Sequence, residues 1–292
     1  MKIEPTSFGP WQQAHRLTHD NVELIVVSEI GPRILSLRVN GGENLLFVDE
    51  DGLSRGEWRI YGGHRVWLGP ETEASYAPDN AACDVSTEGG VLTIAGPEDP
   101  LSHLQKHLRI AAAGPGRFSV TSGLSSNSEM LMPAVVWALT CVRPDARIFF
   151  PWGQPGNWEM KKICYWKAWG GTHASTVTSS QWQPGEDLFV IDPTGEEGKC
   201  GTSGCEGWLG ANFPAAGASF FKRFQYQLGR EYVDDGCAIQ CYTCANFIEM
   251  ETLSPQQILL PGERLEHEEI WIAQAGLADL TQPDAIRTLI AG

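Results

Sequence analysis

The stretch VELIVVSEIGPRILSLRVNGGENLLF, residues 22–47, decides the fold class. It divides into three short apolar segments, which Gly-Pro and Asn-Gly-Gly separate. Segments of about four to ten residues that are rich in Val, Ile and Leu and bounded by turn residues are typical of β-strands. The stretch therefore predicts successive strands that tight turns connect.

The same pattern continues through almost the whole chain. Roughly fifteen such segments are present, among them AVVWALTCV (134–142), ASFFKRFQY (218–226) and HEEIWIAQ (267–274). Only the tail GLADLTQPDAIRTLI (276–290) reads as helical, and the Gly-rich stretch 192–207 predicts a long surface loop. No strand–helix–strand alternation is visible, so we expect one all-β domain over residues 1–292, a large antiparallel sandwich with a short C-terminal helix.

Composition limits the partners. The chain has 292 residues and a formal net charge of −15. This charge argues against nucleic acid and anionic membrane surfaces, since both attract basic proteins. The first residues lack the order of a secretion signal, and no apolar run is long enough to span a membrane, so we expect a cytoplasmic protein. A small uncharged molecule is the partner that this charge favours.

Cysteine and histidine spacing raises the question of a metal. Four of the eight cysteines, Cys200, Cys205, Cys241 and Cys244, have spacings that make a zinc site conceivable, but the surrounding pattern favours buried free thiols. His103 and His107 have helical metal-site spacing, but on the strand predicted there they would lie roughly 13 Å apart. Nucleotide-binding and common hydrolase motifs are absent from the sequence. We therefore expect neither a metal nor a cofactor.

The stretch WRIYGGHRVWLGPE, residues 58–71, is unusually rich in rings and guanidinium groups. Strand alternation would place Arg59, Tyr61, Arg65 and Trp67 on one face and His64 on the other, and the paired glycines allow a bulge or a close backbone approach. Aromatic faces and rigid donor forks suit a polyhydroxyl ligand. The alternative is that Arg65 pairs internally with a carboxylate such as Glu71 while the rings fill the core.

A second group of candidates comes from later strands. In NFIEMETLSP (246–255), Glu249 and Glu251 fall on one strand face, where buried carboxylates are costly unless they are paired or functional. One could act as a general base while the other anchors a ligand or holds Arg65 or Lys222; otherwise both lie on a solvated face. Lys222 is either a ligand donor or a lysine whose stem covers apolar surface, and Trp137 is either core or a stacking platform.

The order of these segments resembles the galactose mutarotase-like superfamily, which contains the aldose 1-epimerases and hexose-6-phosphate epimerases. The resemblance rests on residues 22–47, on YGGHRVWLGPE (61–71), on LQKHLRI with RFSVTSGLSSNS (104–110 and 117–128), and on NFIEMETLSPQQILLPGERLEHEEIWI (246–272). More narrowly, GGHRVW, FFKRF and FIEMETLSP resemble an uncharacterised branch labelled DUF4380.

The resemblance implies a β-supersandwich that binds a sugar on the concave face of its larger sheet. It also implies anomer interconversion without cofactor or metal, in which a glutamate removes the anomeric hydroxyl proton and a histidine protonates the ring oxygen. By position, Glu249 matches the glutamate base, with Glu251 as the second choice.

The histidine of that mechanism has no counterpart at the matching position, where this chain has Trp137. Position 61 is likewise tyrosine where the phosphosugar enzymes have arginine. His64 could supply the acid across a bulge at Gly62–Gly63, or Lys222 or Arg65 could polarise the ring oxygen. We therefore expect a protein that binds a small-molecule sugar or an oligosaccharide. It would be a cofactor-free aldose 1-epimerase, with a non-catalytic carbohydrate-binding protein or another carbohydrate-active reaction as alternatives.

Overall fold

The computed structural model describes residues 1–50, 54–55, 57–154, 160–167 and 177–292. In chain order, the first strands are β1 (Lys2–Phe8), β2 (Trp11–His19), β3 (Val22–Val27), β4 (Arg33–Val39), β5 (Ser54–Arg55), β6 (Trp58–Arg59), β7 (Gly63–Gly69), β8 (Asp84–Glu88), β9 (Val91–Glu98), β10 (Leu104–Ala112), β11 (Arg117–Ser126) and β12 (Met132–Val142). The others are β13 (Arg147–Pro151), β14 (Cys164–Tyr165), β15 (Trp182–Pro184), β16 (Leu188–Ile191), β17 (Gly198–Thr202), β18 (Trp208–Phe213), β19 (Ala218–Phe224), β20 (Ile239–Thr243), β21 (Ile248–Leu253), β22 (Gln257–Leu259) and β23 (Arg264–Ala275).

Apart from β5 and β6, which pair only with each other, these strands form two large antiparallel sheets. The first has eleven strands in the order β1-β2-β3-β4-β7-β12-β21-β20-β17-β14, with β22 paired to β12, and the second has ten in the order β15-β16-β13-β18-β19-β23-β11-β10-β9-β8. The helical elements are a 3₁₀ turn (Glu73–Tyr76), a four-residue turn α1 (Val233–Gly236) and the C-terminal helix α2 (Pro283–Ala291). The predicted all-β antiparallel class with a short C-terminal helix is confirmed. No helix in the described ranges is both long and apolar enough to cross a membrane.

Strand alternation explains how the sheets pack. Along β23, the buried residues are Leu265, His267, Glu269 and Trp271. Arg264, Glu266 and Glu268 alternate with them and are exposed. Apolar residues from both sheets form one continuous core. The central strands β7, β12 and β21 are buried along almost their whole length. Their second face therefore must also be covered, and a separate cluster that includes Trp58, Trp67 and Trp137 covers it.

The paired glycines before β7 allow a close backbone approach, as the sequence predicted. Tyr61, Gly62 and Gly63 all have positive φ, at 44°, 84° and 62°. A Cβ on Gly63 would lie 2.1 Å from the carbonyl oxygen of Ile34, and one on Gly62 would lie 2.3 Å from that of Phe47. Only residues without a side chain fit there.

Two expectations about the chain have different outcomes. All eight cysteines are free thiols, and Cys141, Cys200, Cys237 and Cys241 are buried. The expectation of a continuous surface loop over 192–207 is wrong, because residues 198–202 form β17, an inner strand of the first sheet. The glycines concealed this strand, since glycine is disfavoured in strands and marks turns.

Candidate active site

Register brings polar side chains from four strands to one face of the first sheet. Glu249 on β21 is directly opposite Cys141 on β12 and Tyr242 on β20, and Tyr242 is opposite Lys199 on β17. Directly opposite residues in an antiparallel pair point to the same face. Glu249 and Lys199 therefore share a face and stand two strands apart, about 10 Å between backbones.

A parallel row of residues completes the face. Arg65 on β7 is opposite Leu139 on β12, which is opposite Glu251 on β21. One step along the same strands, Trp67 is opposite Trp137. The two pairs that alternation predicts, Arg65 with Trp67 and Glu249 with Glu251, therefore lie on one face.

This surface contains a cavity of about 240 Å³. Its walls are mostly aromatic, and its charged residues are two acidic and two basic side chains. The lining residues are Trp58, Ile60, Arg65, Trp67, Glu71, Tyr76, Trp137, Lys199, Tyr242, Phe247 and Glu249.

The aromatic wall is fixed by contacts between its own rings. Trp67 is at its centre and makes edge-to-face contacts with Trp58, Tyr76 and Trp137, at centroid distances of 5.7, 5.1 and 5.2 Å. Such geometry is favourable beyond the burial of area alone. The rings therefore present a preformed apolar surface to the cavity.

Arg65 links the aromatic wall to the acid. Its guanidinium carbon lies 4.3 Å from the centroid of the Trp67 ring and 5.0 Å from that of Trp58. Its Nη2 donates to Oε1 of Glu249 at 3.3 Å, and Nη1 donates to the carbonyl of Ile60 at 3.3 Å. Only 1% of the residue is exposed, so stacking and pairing hold the charge in place.

Glu249 is the carboxylate of β21 that reaches the cavity. It is 9% exposed and accepts a hydrogen bond from the Cys141 thiol at 3.5 Å. Burial raises its pKa, although the charges of Arg65 and Lys199 oppose this rise. A carboxylate with a raised pKa that faces a cavity is suited to accept a proton.

Lys199 is the second basic residue that lines the cavity. Its ammonium lies 3.3 Å from Oε2 of Glu251, 3.9 Å from Oε2 of Glu71 and 4.4 Å from the centroid of the Trp137 ring. It is 3% exposed. Three contacts thus hold a donor group over the indole of Trp137.

Glu251 lies beneath the wall rather than in it. It is fully buried, and its Oε2 accepts the Trp137 indole N–H at 2.6 Å in addition to the Lys199 contact. Burial raises its pKa to about 7, against the opposing charge of Lys199. Glu251 therefore orients Trp137 and Lys199 and does not line the cavity.

Glu71 lines the cavity from the loop that follows β7. Its Oε1 accepts the hydroxyl of Tyr76 at 2.5 Å. The alternative expectation, that Arg65 pairs internally with a carboxylate such as Glu71, holds for the pairing but not for that partner: Arg65 pairs with Glu249, and Glu71 lies near Lys199.

Two predicted site residues lie between the sheets and not at the cavity. His64 is fully buried on the opposite face of β7, where its ring nitrogens bond to Thr140 at 2.8 Å and Ser122 at 3.1 Å. Burial lowers its pKa to about 3. The run of positive φ values from Tyr61 to Gly63 does not turn its ring toward the cavity, so the expectation that His64 supplies the acid is corrected.

Lys222 lies on β19 of the second sheet, and its side chain points between the sheets toward β12 and β21. Its ammonium contacts Oε1 of Glu269 at 2.8 Å and donates to the carbonyls of Ala138 and Met250, each at 3.0 Å. These partners occupy all three of its donors. The expectation that Lys222 converges on the ligand is therefore corrected. Lys222 instead binds the backbone of β12 and β21 on the face opposite the cavity.

Arg59 and Tyr61 are not among the residues that line the cavity. Tyr61 instead contacts Trp11 edge-to-face at 5.9 Å, and the guanidinium of Arg33 lies over its ring at 5.5 Å. The reason is the run of positive φ values from Tyr61 to Gly63, across which a period of two does not continue. Even-numbered Trp58 and Ile60 line the cavity before this run, and odd-numbered Arg65 and Trp67 line it afterwards.

Sequence reasoning missed six lining residues: Trp58, Ile60, Tyr76, Lys199, Tyr242 and Phe247. Trp58 would have been found by allowing the paired glycines to reverse the alternation. Tyr242 follows from the register of β20 against Glu249, which a single sequence does not provide.

No group of three or more His, Cys, Asp or Glu side chains within the described ranges could hold a metal ion.

Comparison with known proteins gives matches in structure but not in sequence. No family model matches the chain, and neither does any curated protein sequence. A candidate aldose 1-epimerase from Escherichia coli K12 matches with a TM-score of 0.55 at 13% identity, over 90% of this chain and 99% of its own. A galactose mutarotase-like protein from Lactobacillus casei matches with a TM-score of 0.54 at 12% identity, over 89% of this chain and 100% of its own.

A longer protein contains the same architecture. A TPR-domain-containing protein from Parabacteroides distasonis matches with a TM-score of 0.61 at 12% identity, over 95% of this chain but only 52% of its own. Identities this low establish architecture alone. The two-sheet topology and these matches show that the chain has the galactose mutarotase-like fold.

Proposed function

We propose that the protein binds a single sugar in this cavity and interconverts its anomers, as a cofactor-free aldose 1-epimerase. The observation that carries the proposal is the position of Glu249, a buried carboxylate of raised pKa that faces a preformed cavity between aromatic rings and two cationic donors.

The walls support a sugar as the ligand. Pyranose rings present C–H faces that pack on aromatic surfaces, and their hydroxyls both donate and accept hydrogen bonds. Trp58, Trp67 and Trp137 offer the apolar surface, while Arg65 and Lys199 are donors and Glu71 is an acceptor. The volume of about 240 Å³ suits one ring rather than a chain of rings.

Glu249 supports the reaction. Removal of the anomeric hydroxyl proton opens the ring to an aldehyde, rotation about the adjacent carbon–carbon bond follows, and reclosure gives the other anomer. A base in this role works best when its pKa approaches the working pH, and burial moves the pKa of Glu249 in that direction.

The experiment follows equilibration of freshly dissolved α-anomers of several aldoses by NMR, in the presence of wild type, Glu249→Gln and Glu88→Gln. Glu88 is exposed at the end of β8 and serves as the matched control. We expect catalysis in wild type and E88Q and a loss of about 10²–10⁴-fold in E249Q. Full activity of E249Q would rule out its role as the base.

A non-catalytic sugar-binding protein is the second candidate, and Trp137 at the position of the expected histidine favours it. An indole does not release its proton near neutral pH. Saturable sugar binding with unchanged anomerisation would establish this alternative. A sugar at 100 times its Kd should add about 2.7 kcal/mol to stability, so absence of any thermal shift with a panel of sugars would contradict both candidates.

Three narrower statements belong to the same proposal. The branch is DUF4380, on the motifs quoted above. The protein acts in a reducing compartment such as the cytoplasm, and the eight free thiols support this. The ligand is an unphosphorylated sugar, which the acidic balance of the chain supports.

A further inference from the structure

The proposed reaction needs a second proton transfer, to the ring oxygen, and the expected histidine is replaced by Trp137. A functional donor must face the same cavity as Glu249, because the anomeric hydroxyl and the ring oxygen are bonded to one carbon. Among the described lining residues, Lys199, Arg65, Tyr76, Tyr242 and the indoles carry donors.

Most of these donors are unsuited to the role. Arg65 is held by Glu249 itself and a guanidinium does not deprotonate in proteins. Burial raises the pKa of Tyr242. The hydroxyl of Tyr76 is donated to Glu71. An indole N–H does not ionise in this range. Of the donors named above, the Lys199 ammonium remains as the group that can release and regain a proton.

The position of Lys199 fits this requirement. Its ammonium lies 4.4 Å from the centroid of the Trp137 ring, directly over the side chain that stands where a histidine was expected. Register places it on the same face as Glu249, two strands away, and its charge acts on the Glu249 carboxylate across the cavity. Glu251 anchors the ammonium from below at 3.3 Å.

We propose that Lys199 is the general acid that protonates the ring oxygen, and that Glu251 is a positioning residue that holds its ammonium over Trp137. This inference rests on the proposed function. As the anomeric proton passes to Glu249, the bond between the anomeric carbon and the ring oxygen breaks, and Lys199 gives one proton to that oxygen. On reclosure from the other face, neutral Lys199 takes the proton back and Glu249 returns its proton to the anomeric oxygen, so the net change is isomerisation alone.

The test compares Lys199→Met, Lys199→Arg and Lys199→Ala with Lys161→Met, a control at a surface pair with Glu186. Arginine keeps the positive charge opposite Glu251 but does not release a proton near neutral pH. We expect K199M and K199R to lose about 10²–10⁴-fold in kcat, with sugar affinity within a few-fold of wild type. We expect K161M to be unchanged.

Small primary amines provide a readout that a purely structural lysine would not affect. Methylammonium and ethylammonium should restore part of the activity of K199A, with rates that depend on the pKa of the amine, and should leave K199R inactive.

The outcomes separate this inference from the proposed function. Near-wild-type kcat in K199R would show that only charge matters and would overturn the acid role, while the role of Glu249 would stand. A wild-type protein that accelerates no anomerisation would overturn both. Melting temperatures of the three variants identify any loss that comes from unfolding.

Discussion

Glu249 and Glu251 point to the same face of one strand, yet only Glu249 reaches the cavity. Glu251 lies under the Trp137 indole, whose N–H it accepts at 2.6 Å. The two carboxylates therefore differ in depth: Glu249 lines the cavity, and Glu251 contacts the Trp137 indole and the Lys199 ammonium behind the cavity wall. Because Glu251 is fully buried and burial raises its pKa, its protonation is also coupled to folding.

The first prediction concerns the pH dependence of stability. Burial raises the pKa of Glu251 from 4.5 to about 7. The protonated form is therefore favoured in the folded protein, and its contribution to stability is complete below pH 4.5 and lost as the pH rises through about 7. A shift of this size corresponds to about 3 kcal/mol.

Glu251→Gln should remove this dependence. Urea unfolding at pH 4.5 and at about pH 8 gives the free energy of unfolding of both proteins. The wild-type value minus the E251Q value should fall as the pH rises across this range. The difference cancels the opposing effect of His64 and His267, whose lowered pKa values are common to both proteins. A difference that stays constant with pH would contradict the raised pKa.

The second prediction concerns the ion pair of Arg65 and Glu249. Arg65→Met leaves a carboxylate buried without its partner, which typically costs about 3–5 kcal/mol. The double variant R65M/E249Q removes both charges and should lose less than the sum of the single variants, by about 0.5–3 kcal/mol. Unfolding free energies of the four proteins give this coupling, and strict additivity would mean that the pair at 3.3 Å contributes nothing.

The sequence predicted the fold class and the shared strand face of Glu249 and Glu251, because both depend on a period of two. It failed where that period is interrupted. Three consecutive positive φ values reverse the alternation after Tyr61, so Trp58 lines the cavity and Arg59 does not. Lys199 was missed because glycines flank it in Gly198–Thr202, and the strand there is stabilised by pairing with β20 rather than by its own residues.

The third prediction uses two glycines with similar backbone conformations. Gly63 and Gly41 have φ of 62° and 67°, but a Cβ on Gly63 would overlap the carbonyl of Ile34, and one on Gly41 meets nothing within 4 Å. Gly41→Ala should cost roughly 1–2 kcal/mol from backbone strain alone. Gly63→Ala should cost about 1–3 kcal/mol more. Equal losses in urea unfolding would contradict the close approach.

The fourth prediction assigns Lys222 to the interior. Lys222→Met leaves Glu269 buried without its cation and should cost about 3–5 kcal/mol, whereas Lys161→Met, at an exposed pair, should cost less than about 1 kcal/mol. Sugar affinity of folded K222M should be within a few-fold of wild type. A selective loss of affinity without loss of stability would instead place Lys222 at the ligand.

His64 and Lys222 show a second limit of sequence reasoning. Alternation correctly puts His64 and Arg65 on opposite faces, but both faces of β7 are buried. A pattern of residues therefore does not reveal which face holds the cavity and which holds the interior between the sheets. Buried polar pairs such as Lys222 with Glu269 look like site residues in the sequence, because both kinds of position carry charge among apolar neighbours.

The crowding of Trp58, Trp67 and Trp137 around the cavity has a practical consequence. Three of the eleven indoles in the chain would exchange water for a ligand at the same time. Intrinsic fluorescence should therefore shift in wavelength and intensity on titration, and no dye or label is needed to follow binding. Replacing Trp67 with phenylalanine should reduce that signal, while the same change at Trp208, which does not line the cavity, should preserve it.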